Sequence, residues 1–436
     1  PREESAEKTG GLENRGRRTP KKPLNNTRRR TSIPLSRNPR TDGPGRTPQT
    51  EKQGVFRAMK AVFKRADLSM ATSVVHNVVN QQSSLPILSN ILIRAEESRA
   101  VFLASDLESY VRCEVPAEVE AKGEVTVPAR TLAEMVRVLP DADIVLAIEE
   151  DRVRVSAEGL SYDLVSMDPA DFPAWPELKP LASIELSQAI LLRIIERILF
   201  AIPQKDPRRV LLGGYFDVQD RTLKAVSTDG KKLSFVQTEA DSRTGEEAIS
   251  AVVPQKVLSE ISKTLGDEGN VEIHFGERQV AFDLKNVKYI SNIIEGTYPN
   301  YDLVIPKTFE RSMVLPRERL RALTRQASII SDEKSNSVVL TFADNQLRVK
   351  AMTYDIGSYA GALPIQYDQE TFEIVFNHRF LGEILDKIEG EEVMLKANKP
   401  VSPAVFTGKD ATDFLFVIMP IKLADLAEAG TEADVE

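Results

Sequence analysis

Val127-Pro128-Ala129-Arg130-Thr131-Leu132 decides the fold, because the chain repeats it twice more. The echoes are Val253-Pro254-Gln255-Lys256-Val257-Leu258 and Phe376-Asn377-His378-Arg379-Phe380-Leu381. Each closes a run of strand character and opens an apolar helix. The marker leucines Leu132, Leu258 and Leu381 are 126 and 123 residues apart. A second marker is a turn carrying an aspartate: Ala104-Ser105-Asp106, Ser227-Thr228-Asp229 and Thr353-Tyr354-Asp355. Its aspartates are 123 and 126 apart. Two independent markers therefore agree on a period near 125, which identifies an internal repeat before any single element is assigned.

Around these markers the same order recurs. An amphipathic helix is predicted over 65–80, 187–202 and 316–331, and alternating strands over 99–115, 221–237 and 346–363. A second helix follows over 129–139, 254–265 and 377–388, then closing strands over 144–155, 271–282 and 392–397. The class is α+β: three tandem similar domains, each of two strand–helix–strands modules, with helices on one side of antiparallel sheet. Proline-rich links, Pro173-Ala174-Trp175-Pro176 and the stretch 299–306, mark the junctions. The expected boundaries are 59–178, 181–306 and 307–423, flanked by a basic extension 1–58 and an acidic tail 424–436.

Composition narrows the function classes. The chain has 436 residues, 28% of them charged, with a net charge of −8. Residues 1–58 hold 15 Lys+Arg against 6 Asp+Glu, a balance of +9, so residues 59–436 carry −17. An acidic body argues against nucleic acid wrapped over its outside while allowing a local basic lining. Residues 1–58 are rich in Arg, Pro, Thr, Asn and Gly without period, the signature of a disordered segment. A basic nucleic-acid-binding tail, sequence ahead of a true start at Met59, and a targeting peptide all fit it. No stretch has the roughly 18 apolar residues a membrane helix needs. The one cysteine, Cys113, excludes an intramolecular disulfide, suits a reducing cytoplasm and reads as a buried structural thiol.

Catalytic chemistry finds little support. His76, His274 and His378 have no partners at metal-ligand spacing. There is no phosphate-binding Gly-x-x-x-x-Gly-Lys-(Ser/Thr) loop and no Gly-x-Ser-x-Gly elbow. No cofactor and no metal are expected.

Several motifs, in order along the chain, resemble the bacterial sliding clamp, the β subunit of DNA polymerase III. They are Leu85-Pro86-Ile87-Leu88-Ser89-Asn90, Val127-Pro128-Ala129-Arg130, Ala170-Asp171-Phe172-Pro173, Thr228-Asp229-Gly230-Lys231-Lys232-Leu233, Gly296-Thr297-Tyr298-Pro299-Asn300-Tyr301 and Ile418-Met419-Pro420-Ile421-Lys422-Leu423. The resemblance covers 59–423. It implies the DNA clamp fold, closed into a ring as a head-to-tail homodimer, with helices lining the hole and sheets outside. It also implies a non-catalytic processivity factor. Such a ring encircles duplex DNA without reading sequence and tethers the polymerase catalytic subunit, the clamp loader and other clamp-binding proteins. The expected location is the cytoplasm, with the nucleoid. A clamp-like interaction scaffold that does not encircle DNA is the alternative.

Three sets of residues follow from the resemblance. Sliding needs phosphate contacts without base readout, and the candidates on inner helix faces are Arg130, Arg137, Arg193, Arg197, Lys205, Lys256, Lys263, Arg321, Arg325 and Arg379. A client-peptide pocket between the second and third domains is implied at Leu211, Thr228, Gly230, Leu233, Pro299, Val304, Val417 and Met419, extended by Pro403, Pro420, Ile421 and Leu423. The subunit contact is implied between Tyr162 and Leu164 of the first domain and Ile329 and Ile330 of the third, with Asp332, Glu333 and Lys334 at its rim. The pattern departs at Arg209 and Val210, where many members carry aromatics, at Lys231-Lys232 in place of His-Arg, and at Leu303 in place of a basic residue. The acidic tail starts beside the expected pocket and is expected to tune client access by charge.

Overall fold

The computed structural model describes residues 58–79, 83–242, 248–331 and 335–422. The stretch 1–57, Asn80, the rim residues Asp332, Glu333 and Lys334, the pocket candidate Leu423 and the tail 424–436 lie outside the described residues.

Six α-helices are described: α1 (Arg65–His76), α2 (Ala129–Val138), α3 (Gln188–Leu199), α4 (Gln255–Ser262), α5 (Arg317–Ala327) and α6 (His378–Lys387). Each is shorter than its sequence pattern, because the apolar period runs on into the turn that follows. Their buried residues recur at three- and four-residue steps, as in Leu191, Ile194, Ile195 and Ile198 of α3 and Leu381, Ile384 and Leu385 of α6. Fully burying each such side chain contributes about 2–3 kcal/mol. Side chains cap two of the starts. The Ser187 hydroxyl accepts from Ile190 N at 3.3 Å, and Asn377 Oδ1 accepts from Arg379 N and Phe380 N.

The two modules of each domain exchange their first strands. Lys60–Lys64 leads into α1 but pairs with Asp143–Glu149, which follows α2. Gly123–Pro128 leads into α2 but pairs with Asn90–Glu96, which follows α1. The second domain repeats this with Ala182–Ser187 against Asn270–Phe275 and Ile249–Pro254 against Gly213–Gln219. The third repeats it with Arg311–Pro316 against Glu392–Ala397 and Phe372–Asn377 against Ser337–Ala343. Neither module can complete its sheet alone, so the repeat of about 125 residues, not half of it, is the folding unit.

Antiparallel pairing also fuses neighbouring domains. Val287–Asn292 of the second pairs with Ser109–Pro116 of the first, placing Ile290 opposite Tyr110 in a nine-stranded sheet. Phe414–Ile418 of the third pairs with Lys232–Glu239 of the second, placing Val417 opposite Leu233 in an eight-stranded sheet. The strands equivalent to these by position are Leu160–Val165 of the first domain, at the edge of a five-stranded sheet, and Gly357–Pro364 of the third, at the edge of a four-stranded sheet.

Alternation along the strands separates two layers. Ile91, Ile93, Ala100 and Phe102 face the helices and join the main core, whereas Leu92, Val101 and Leu103 face away and are covered by Phe172 and Trp175 of the first link. The second link does the same. Tyr298, Tyr301 and Ile305 lie over Leu211, Val226, Leu233 and Val417. Each interdomain link is therefore a strap on the face opposite the helices. Cys113 is fully buried in the main core, with its sulfur 3.7 Å from Met70 Sδ.

Candidate functional site

The second strap roofs part of a pocket of about 170 Å³. Leu211, Thr228, Gly230, Leu233, Pro299, Val304, Val417 and Met419 line it together. Pro403, Pro420 and Ile421 lie outside this lining. Ile421 N instead donates to Val375 O at 2.9 Å, which anchors the chain to the third domain immediately past the pocket.

The local turn explains the pocket's shape. Asp229 Oδ1 accepts from Lys231 N and Lys232 N, both at 2.8 Å, and Thr228 Oγ1 donates to Lys232 O at 2.7 Å. Gly230 has φ +86°, a left-handed conformation that suits glycine. At its first two occurrences the aspartate marker is thus a side-chain-braced hairpin turn, Asp106 bracing its own through Glu108 N and Ser109 N.

Sequence reasoning did not single out Arg208, Asn300 and Tyr301, and noted Lys231 and Lys232 only as a departure from the pattern; all five also line the pocket. Asn300 and Tyr301 lay in a recognised motif, so a signal existed. Arg208 lies three residues before Leu211, just ahead of the departures noted at Arg209 and Val210, and no motif includes it. Its guanidinium binds Asp206 at both oxygens, 2.9 Å each, which pulls that carboxyl down to about 2. Of the departures, Arg209 lines a neighbouring recess, Val210 packs under the strap, and Leu303 projects into solvent at 83% exposure.

The basic candidates divide by surroundings. Arg137, Arg193, Lys205, Arg325 and Arg379 are exposed and form no ion pair among the described residues. Arg130, Lys263 and Arg321 are exposed beside carboxylates of their own helices or helix pair, at Glu134, Glu260 and Asp386. Lys256 binds Asp106 and Val78 O, tying α4 to the first domain. Arg197 departs from expectation. It is 7% exposed, 3.0 Å from Asp413, and lies over the Phe414 ring at 3.9 Å. Position 197 falls on the buried stripe of α3 and bridges to the third domain, so Arg197 is a structural residue of that junction and not part of an open basic face.

At the sheet edges, Tyr162 packs against the core and Leu164 is buried within it, leaving Leu164 little surface for a partner. Ile330 packs inward and its carbonyl accepts from Thr353 Oγ1 at 2.5 Å, while Ile329 is 75% exposed. Both lie in the turn just after α5, not on its helical stripe, and there they split between solvent and core. Leu160 and Val165 at one edge, and Met352, Tyr354 and Ile356 beside the other, are exposed as well.

Among the described residues no cluster of His, Cys, Asp and Glu could hold a metal ion, and no helix is long and apolar enough to cross a membrane. Family models of the DNA polymerase III beta subunit match across the chain: the N-terminal domain at residues 59–176, the central domain at 185–300 and the C-terminal domain at 302–422. The chain belongs to the beta sliding clamp family. It is 30% identical to the beta sliding clamp of Chlamydia trachomatis, over 86% of this chain and 90% of that one. It is 31% identical to that of Pseudomonas putida, over 84% and 100%. Among solved structures it is similar to the sliding clamp of Pseudomonas aeruginosa bound to griselimycin, with TM-score 0.81, 28% identity, and 84% and 100% coverage. It is also similar to the clamp of C. crescentus, with TM-score 0.80, 30% identity and the same coverage. The clamp is a non-catalytic processivity factor of DNA polymerase III.

Proposed function

We propose that two copies of this clamp close head to tail around duplex DNA, joining Leu160–Val165 of each copy to Gly357–Pro364 of the other. The observation that carries this is repetition. The two internal junctions use the same pair of strand positions, and among the described residues the third occurrence of that pair is left as sheet edges flanked by exposed apolar residues. Unpaired edges with apolar flanks are poorly tolerated alone, and a heterologous contact must close or polymerise. The exposed cations Arg137, Arg193, Lys205, Arg325 and Arg379 then meet phosphates, helped by Arg130, Lys263 and Arg321. The pocket around Leu233 and Met419 takes short apolar segments of the polymerase, the loader and other clients, and it is the place where griselimycin, bound by the Pseudomonas relative, is expected to bind here. The ring works in the cytoplasm, at the nucleoid. The domain limits 59–178, 181–306 and 307–423 fit this reading. Sedimentation tests it: the expected particle is twice the 48.5 kDa chain, and a monomer at micromolar concentration contradicts it.

A further inference from the structure

The two interdomain straps cross the same row of residues, but the second fills the space above that row and the first leaves a recess. At the first junction His274, Ala281, Ile290 and Tyr110 stand side by side across four paired strands. At the second the same row reads Lys396, Val405, Val417 and Leu233. The first row faces away from the helices, since its strand neighbours Ile273, Val280 and Tyr289 join the main core. Over the second row Ile305 and Phe309 pack against the cluster that holds Val405 and Val417, and the Phe309 ring centroid is 5.6 Å from Lys396 Nζ. Phe309 stands two residues ahead of the strand Arg311–Pro316, and Ile305 four residues before that. Ahead of the matching strand Ala182–Ser187, the first strap carries Pro180 and Pro176 at those places. It is also three residues shorter from Pro173 to that strand than the second is from Pro299 to Arg311.

An isoleucine and a phenylalanine thus give way to prolines, and a valine to Ala281. What remains is a recess of about 350 Å³, lined by Trp175, Leu178, Ala281 and Ile290 together with Pro176 and Pro180. Its polar members are engaged: His274 is hydrogen-bonded to Ser183 Oγ at 2.8 Å, and Lys288 pairs with Asp283 at 3.0 Å.

We propose that this recess is a docking site, separate from the pocket around Leu233, for an aromatic side chain on an unstructured segment of a partner protein. The occupant is argued from the second junction, where the corresponding space holds the Phe309 ring on a stretch with no helix or strand of its own. A partner segment can present a ring in the same manner. Water in an apolar recess finds few hydrogen-bond partners, so a ring that displaces it gains burial, and Trp175 offers it an aromatic neighbour. The site lies on the face opposite the helices, so a partner can reach it while the helices meet DNA. Neither encirclement nor the pocket around Leu233 is needed for it.

Trp175 is the chain's only tryptophan, so its emission reports on the recess directly. The test titrates the full chain with acetyl-Gly-Phe-Gly amide, acetyl-Gly-Leu-Gly amide and benzyl alcohol, following Trp175 fluorescence and, independently, saturation transfer to the probe by NMR. The phenylalanine peptide should bind saturably, at least about threefold tighter than the leucine peptide and than benzyl alcohol. Pro180→Phe, which gives the first strap the ring that the second already has, should weaken that binding at least about tenfold. Pro176→Ile should weaken it as well, and both variants should keep the wild-type melting midpoint. The absence of saturable binding, or affinity unchanged in both filled variants, overturns the proposal. Equal affinity for the leucine peptide overturns the aromatic assignment. Equal affinity for benzyl alcohol overturns the peptide in favour of a small aromatic ligand.

Discussion

Leu233 and Val417 sit opposite each other across the strand pair that joins the second domain to the third, and both line the same pocket. The pocket's walls are therefore the domain junction itself. Met419 is an exposed apolar member of its lining, so Met419→Lys should weaken griselimycin binding at least tenfold while the midpoint of thermal unfolding stays within a few degrees, as expected of a surface change. Leu233→Ala, by contrast, should cost about 2–5 kcal/mol of stability because Leu233 is 3% exposed. Parallel calorimetry and thermal melts separate the two effects.

Ring closure makes a prediction about oligomeric state. Leu160→Lys or Tyr354→Lys, at exposed positions on opposite edges, should convert the dimer to monomers with unchanged circular dichroism. Light scattering after size exclusion reads the mass. A mutant that stays dimeric removes that side chain from the contact.

Neutralising Arg193, Arg325 and Arg379 to Gln should lower the slope of log affinity for DNA against log salt by about 0.9 for each phosphate that is no longer neutralised. Arg197→Gln should leave that slope unchanged and instead lower stability, since Arg197 spends its charge on Asp413 and Glu389 and its plane on Phe414. Equal slope changes for Arg197 and Arg193 would contradict the division between them.

Asp106 supplies a pH test. Burial pushes its carboxyl up, but the Lys256 ammonium and Ser109 outweigh burial and hold it below the usual carboxylate range. A depressed folded value means the tie stabilises above the ordinary carboxylate range near 4 and is lost as pH falls through the lower folded value. Lys256→Met should therefore destabilise at pH 7 by roughly 1–3 kcal/mol, and the gap from wild type should shrink below about pH 4. A gap independent of pH contradicts the account.

Cys113 should be inert. Burial raises its thiol to about 12, and the thiolate is the reactive form. Iodoacetamide should label it only on unfolding, and rapid native labelling would contradict the burial.

Much of this architecture was legible in the chain because it is written three times. The markers at Leu132, Leu258 and Leu381, and at Asp106 and Asp229, correspond to helix cores and braced turns that local chemistry dictates. The third turn, at Asp355, is shorter, with Thr353 paired directly to Gly357, so there the marker repeats in sequence without the same brace. The exchange of first strands was not legible, since periodicity assigns a strand but not its partner. Arg197 was misplaced for a related reason. Its charge suggested solvent, and only tertiary packing shows that its helix position faces Phe414. Arg208 was missed because an arginine in a loop, even beside Arg209, carries no periodic pattern that places it in a pocket.

The most direct test is topological retention. Clamp is threaded onto linear duplex through one free end, the other being immobilised, and the free end is then blocked with streptavidin before a wash in 1 M NaCl. A closed ring predicts that clamp survives the wash only on blocked DNA and is released when a restriction enzyme cuts the duplex. Equal loss from blocked and open DNA, or retention indifferent to the cut, would contradict encirclement.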